Sequence, residues 1–151
     1  MPQSLSQVYL HTVFSTKDRV PCLTDPALRS DLHSYMGGIM KKLGCNPVII
    51  GGVSDHVHIL STLSRTVTIA DFVKETKRSS TDWLNVQKAF RTRFKWQAGY
   101  GAFSVSPTQV EAAIRYVEGQ EKHHRTITFK EEFLTLLEKN GLTYDERYMW
   151  D

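Results

Sequence analysis

The stretch from Asn46 to Thr62 reads NPVIIGGVSDHVHILST. Val48, Ile49 and Ile50 make a short apolar run of β-branched residues, the composition of a strand. Ser54-Asp55 supplies a tight turn, and His56 to Thr62 reads as a returning strand. Together they predict a hairpin over Asn46–Val53 and His56–Thr62. On each side of this hairpin the pattern changes to a helical period. Upstream, Thr24 or Asp25 caps a segment with Pro26 just inside its start, and Leu28, Leu32, Tyr35, Met36, Ile39, Met40 and Leu43 follow at helical spacing until Gly44. Downstream, Thr68 opens a long helix with Ile69, Phe72, Val73, Thr76, Trp83, Leu84 and Gln87 on or near one stripe. Val8 to Phe14 before the first helix and Trp96 to Val105 after the second read as strands, with Gly99 and Gly101 weakening the start of the latter.

The resulting order, βαββαβ, is the ferredoxin-like arrangement, an α+β fold whose antiparallel sheet carries its helices on one face. In its usual strand order the first and third strands are central. Two further helices are expected. Ser106-Pro107-Thr108-Gln109 resembles a capping box and starts a helix over about 106–123. Thr128-Phe129-Lys130-Glu131 is a second capping box, starting a helix over about 128–140 that Gly141 closes.

The chain has 151 residues and 17.3 kDa, the size of one domain, so residues 1–151 are expected to form a single unit. No apolar run is long enough to cross a membrane. Met1-Pro2-Gln3-Ser4 has neither the basic flank nor the apolar stretch of a signal peptide. Cys22 and Cys45 stand apart with no CxxC pair. These features predict a reduced, cytoplasmic protein without zinc clusters.

The net charge of +3 is unevenly placed. Between Arg65 and Lys95 there are eight basic and three acidic residues, so this segment carries +5 and the rest −2. Lys74, Lys77, Arg78 and Lys88 fall mostly opposite the apolar stripe of the second helix, and Arg91 follows shortly after. Such a face suits a polyanion; a solvated helix face explains the charge equally well. Trp96, Tyr100 and Phe103 fit the sheet core better than base stacking, the other use open to them.

His56 and His58 are two apart on a strand, so both imidazoles point to one face. That is a two-ligand half-site for a metal, or a pair of histidines facing solvent. Along the helix after the fourth strand, Val110, Ala113, Ile114 and Val117 form the core stripe, and Tyr116, Gln120 and His123 share one flank. A phenol and an amide oxygen thus stand on one side of one helix. His123 and His124 end that helix, and Asp55 precedes the histidine pair, where it can orient an imidazole or simply form the turn.

His56-Val57-His58, followed by Tyr116 and Gln120 in a Tyr-x-x-x-Gln arrangement, resembles the single-tyrosine HUH transposases (His-hydrophobe-His) of insertion sequences and their REP-associated relatives. Lys95-Trp96-Gln97-Ala98-Gly99-Tyr100-Gly101-Ala102-Phe103-Ser104-Val105-Ser106 is similar to the segment these proteins carry before the tyrosine helix, and the likeness runs from about Val8 to Trp150. One local feature, Gly119 just before the glutamine, is a poor helix residue.

The resemblance implies cleavage and rejoining of single-stranded DNA at element ends. A divalent metal, Mg²⁺ or Mn²⁺, would be held by His56, His58 and Gln120, and Tyr116 would attack phosphorus to leave a 5′-phosphotyrosine. Asp55, His123 and His124 are the candidates for supporting the metal ligands. Rejoining conserves bond energy and needs no nucleotide cofactor, in keeping with the absence of a GxxxxGK[ST] loop. The implied partners are single-stranded DNA with hairpins at the element ends and a second copy of the chain, in a homodimer whose active site can be shared between subunits. The same chemistry would serve a domesticated relative. Two other readings fit parts of the sequence. A non-catalytic RRM-like nucleic-acid module explains the basic and aromatic residues but not the histidine pair. A water-using metallohydrolase would need a carboxylate near His56.

Overall fold

The computed structural model describes residues 2–151. Four antiparallel strands form one sheet, β1 (Tyr9–Ser15), β2 (Pro47–Gly52), β3 (His56–Thr62) and β4 (Gly101–Val105), in the order β2-β3-β1-β4. This is the expected βαββαβ topology with β1 and β3 central. Helices α1 (Pro26–Lys42) and α2 (Ile69–Val86) lie on one face. Asp25 caps α1 by accepting from the Ala27 N–H at 3.0 Å, and Thr68 caps α2 by accepting from Asp71 at 3.0 Å. Leu32, Met36 and Met40 of α1 and Phe72, Val73 and Leu84 of α2 pack on Leu10, Phe14, Val57 and Ile59 of the central strands.

The opposite face is covered by α3 (Val110–Glu118), α4 (Gln120–His123) and α5 (Phe129–Lys139). Val13 and Phe103 meet Phe129, Phe133 and Leu137 of α5 there. Two glycines permit close approach. A Cβ at Gly51 would lie 2.8 Å from the Val117 carbonyl oxygen, so α3 rests directly on β2. A Cβ at Gly101 would lie 2.6 Å from the Phe133 ring, so α5 presses onto β4. The last helix is α6 (Glu146–Met149), and Trp150 packs on Phe133 with the cations of Arg19 and Lys130 over its ring.

Three local expectations are corrected. The fourth strand starts at Gly101 rather than Trp96, which makes only an isolated bridge to Thr16. The Lys77 ammonium takes the carbonyls of Gln97, Ala98 and Gly99, so this segment loops instead of pairing. Ser106 bonds the Thr108 hydroxyl rather than a backbone N–H, and a 3₁₀ turn over Pro107–Gln109 precedes α3. The tyrosine helix does not run unbroken to His123. It ends at Gly119 (φ −85°, ψ 11°), and α4 restarts from there. No helix among the described residues is long and apolar enough to cross a membrane.

Candidate active site

Strand β3 is central, and its alternation sends Val57 and Ile59 into the α1–α2 core and His56 and His58 toward α3–α5. The two imidazoles lie 5.2 Å apart and have no exposed surface. The pair therefore does not face solvent, and both rings share one buried face of the sheet.

Hydrogen bonds fix how these rings are used. The Asp55 carboxylate lies 2.7 Å from His56 Nδ1. A carboxylate only accepts, so Nδ1 carries hydrogen and Nε2 turns inward. His124 Nδ1 likewise donates to the Ile127 carbonyl at 2.9 Å, turning its Nε2 inward. The inward nitrogens meet oxygens: His56 Nε2 is 3.1 Å from Gln120 Oε1 and 3.3 Å from Glu132 Oε1, and His124 Nε2 is 3.0 Å from Glu132 Oε1. The Gln120 amide is oriented by its donations to Glu132 Oε2 (3.1 Å) and the Tyr116 carbonyl (3.4 Å). With neutral imidazoles, lone pairs would oppose lone pairs. The arrangement calls for a cation at its centre, either protons on the inward nitrogens or a metal ion.

The titration behaviour follows. Burial disfavours charge on His56, but Asp55 on one side and Glu132 on the other outweigh it and raise its pKa to about 9. His58 is lowered, first by burial, which together with the charges of His56 and His124 outweighs the pull of Glu132; its far nitrogen, Nδ1, lies 2.8 Å from His11 Nε2. Burial lowers His11 itself to about 3, so it stays neutral. Burial works to raise the Glu132 carboxyl, but the imidazoles of His124, His56 and His58 outweigh it and hold it far below the usual carboxylate range.

One donor atom each from His56, His58, His124 and Glu132 lies within 4.8 Å of the others. The set of imidazoles, a carboxylate and the nearby amide oxygen of Gln120 fits a divalent metal. Tyr116 joins the cluster: its hydroxyl donates to Glu132 Oε2, and its ring lies 5.6 Å from that of His58. Burial, then Glu132, pushes the phenol well above its ordinary pKa. Two clefts reach the cluster. One of about 350 Å³ has His11 and Tyr116 on its wall, and one of about 450 Å³ has Asp55 and His124.

The structure thus brings together Asp55, His56, His58, Tyr116, Gln120 and His124. His123 stands at the margin, its Nε2 3.2 Å from Glu132 Oε2 without hydrogen-bond alignment. Sequence reasoning missed Glu132 and His11. Glu132 had a readable signal: it falls within the apolar spacing of Phe129, Phe133 and Leu137, a carboxylate on a core stripe. His11 sits at an inward position of a central strand, between Tyr9 and Val13. Among the basic residues, Lys74, Arg78, Lys88 and Arg91 are exposed. Lys88 and Arg91 lie past the end of α2, and Arg78 pairs with Glu75 at 2.6 Å. Lys77 turns inward and lies over the Phe14 ring. Trp96 and Phe103 are buried, and Tyr100 is exposed.

The sequence profile of the family described as "Transposase IS200 like" matches residues 4–120. Two solved structures share the fold. One is a candidate transposase from Deinococcus radiodurans R1, 22% identical, with a TM-score of 0.60 over 80% of this chain and 95% of that one. The other is a REP-associated tyrosine transposase bound to a REP hairpin, 13% identical, with a TM-score of 0.58 over 82% of this chain and 74% of that one. No curated protein matches the sequence significantly.

Proposed function

The chain belongs to the IS200-like transposase family, and from that premise we propose that it cleaves and rejoins single-stranded DNA through a covalent bond to Tyr116. The observation that carries this reading is the meeting, within one buried cluster, of the Tyr116 hydroxyl with the His56–His58 pair. His56, His58 and Gln120 would hold a divalent metal. Bound there, the ion would supply Lewis-acid polarisation of the scissile phosphate. Between Mg²⁺ and Mn²⁺, a site rich in imidazole favours Mn²⁺.

The chain's own residues then have defined tasks. Asp55 holds His56 with its Nε2 inward. Gln120 presents its oxygen because its amide nitrogen is bound to Glu132. Tyr116 Oη attacks phosphorus, the bond to the 3′ oxygen breaks, and that oxygen leaves with a proton as a free 3′-OH. The product is a 5′-phosphotyrosine, which another 3′-OH can resolve with no net loss of phosphodiester bonds. Exposed Lys74, Arg78, Lys88 and Arg91 are the candidates for gripping a DNA hairpin, the ligand of the REP-associated neighbour. Two element ends call for two copies of the chain, arranged as a homodimer.

A water-using hydrolase would also draw on a carboxylate near His56, and Glu132 is one. The Tyr116 hydroxyl, however, already occupies one of its oxygens. The deciding experiment incubates the protein with labelled single-stranded DNA carrying an element end and Mn²⁺. A denaturation-resistant adduct is expected with the native chain and none with Tyr116→Phe. Cleavage without an adduct would point to hydrolysis instead.

A further inference from the structure

Glu132 is buried on α5, 74 residues from His58 and 16 from Tyr116 in sequence. Its two oxygens face different chemistry. Oε1 lies 2.9 Å from His58 Nε2, 3.0 Å from His124 Nε2 and 3.3 Å from His56 Nε2. Oε2 accepts from the Tyr116 hydroxyl and from the Gln120 amide. We propose that Glu132 is both a metal ligand and the anchor of the nucleophile: Oε1 completes the coordination begun by His56 and His58, while Oε2 holds the Tyr116 hydroxyl beside the ion. The proposal rests on the metal-dependent reading above and adds to it a residue from a different helix.

Distances support the ligand role. Donors bound to one ion at about 2.1 Å lie about 3.0–3.4 Å from their neighbours in octahedral or tetrahedral geometry. The separations of Oε1 from the three imidazole nitrogens, and of His56 Nε2 from Gln120 Oε1 at 3.1 Å, match such edges. Binding would exchange these N–H···O contacts for bonds to a shared ion, drawing together donors that now spread over as much as 4.8 Å. Donor chemistry agrees, because a carboxylate supplies the negative charge that imidazoles and an amide lack. The anchoring role follows because the two oxygens belong to one planar group. Whatever fixes Oε1 on the metal also fixes Oε2, and hence the Tyr116 oxygen. The nucleophile is then positioned relative to the ion by a single rigid carboxylate.

The test uses the full chain and Mn²⁺ alone, without DNA, followed calorimetrically and by the electron paramagnetic resonance signal of free Mn²⁺. Glu132→Gln preserves size but removes the charge and exchanges one acceptor oxygen for an amide donor. It should weaken Mn²⁺ binding by about tenfold or more, on the scale of losses at metal sites, with Glu132→Asp recovering part of the affinity. At saturating Mn²⁺, Glu132→Gln should still form the Tyr116 adduct at least about tenfold more slowly. Should Glu132→Gln fold poorly, the comparison of Glu132→Asp with the native chain carries the same test. Native-like Mn²⁺ affinity in a folded Glu132→Gln chain would overturn the ligand role. Faster adduct formation with affinity intact would show that the carboxylate instead stands in the place of the DNA phosphate. A native chain that forms the adduct yet binds no Mn²⁺ would sink this proposal and leave Tyr116 as nucleophile. One that binds Mn²⁺ through Glu132 but forms no adduct would remove the nucleophile reading and the anchoring role with it, and leave the ligand role standing.

Discussion

His11 Nε2 stands 2.8 Å from His58 Nδ1, across adjacent central strands, with the two rings stacked at 5.0 Å. Because burial keeps His11 neutral, it can accept from His58 Nδ1–H and so commit His58 Nε2 to a metal. His11→Leu should leave the buried His58 Nδ1 without a partner, costing about 1–3 kcal/mol of stability, and should lower Mn²⁺ affinity about 10–100-fold. His11→Gln restores an acceptor and should recover most of both. Denaturant unfolding and calorimetric Mn²⁺ titration check the pair; equal affinities in the Leu and native chains would remove His11 from the metal site.

Metal binding should release protons. In the metal-free chain His56 holds its proton up to about pH 9, and a ligand must give it up. The Mn²⁺ affinity should therefore rise about tenfold per pH unit from about 7 toward 9 and level off above. Calorimetry in buffers of different ionisation enthalpy counts the protons. The same shift links pH to stability. With the folded pKa above the unfolded 6.5, the contribution of His56 is complete below 6.5 and lost as pH rises through 9. His33, lowered to about 4 first by burial and then by Arg29, acts in the other direction, with stability falling from pH 6.5 to 4. Urea midpoints without metal should be highest near pH 6.5.

The basic residues of α2 should divide into two kinds. Lys77 donates at 2.8, 3.3 and 2.7 Å to the carbonyls of Gln97, Ala98 and Gly99, and burial lowers it to about 8. Lys77→Met should cost about 1–3 kcal/mol by leaving these acceptors unpaired. Lys74→Gln with Arg78→Gln should leave stability nearly unchanged. That double variant should weaken hairpin binding and reduce its salt slope by roughly 0.7–0.9 per lost phosphate contact. Filter binding over a salt series would show an unchanged slope if this surface does not touch DNA.

Tyr116 and the histidine pair meet within one chain. Co-expressed His56→Ala and Tyr116→Phe chains should then give heterodimers with no intact site and no adduct. An adduct on the His56→Ala chain of a verified heterodimer would show instead that the tyrosine helix serves its partner, with Gln120 travelling on the neighbouring turn beyond Gly119.

Local periodicity was enough for the topology and for half of the cluster. A period of two placed His56 and His58 on one face and Val57 and Ile59 on the other. Caps and helical stripes located α1, α2 and α5, and the spacing of Tyr116 and Gln120 put both on the side that reaches the histidines. These features depend only on neighbours within a turn or a pleat, so the sequence determines them by itself. What meets across the fold does not have a period. Glu132 reaches His58 because Gly101 lets α5 press onto β4, and Lys77 is withdrawn from the basic face because a loop 20 to 22 residues away offers it three carbonyls. His11 becomes a partner of His58 only when β1 pairs with β3. A buried charge takes whatever compensating group the packed chain brings to it, and that choice is made by tertiary structure alone.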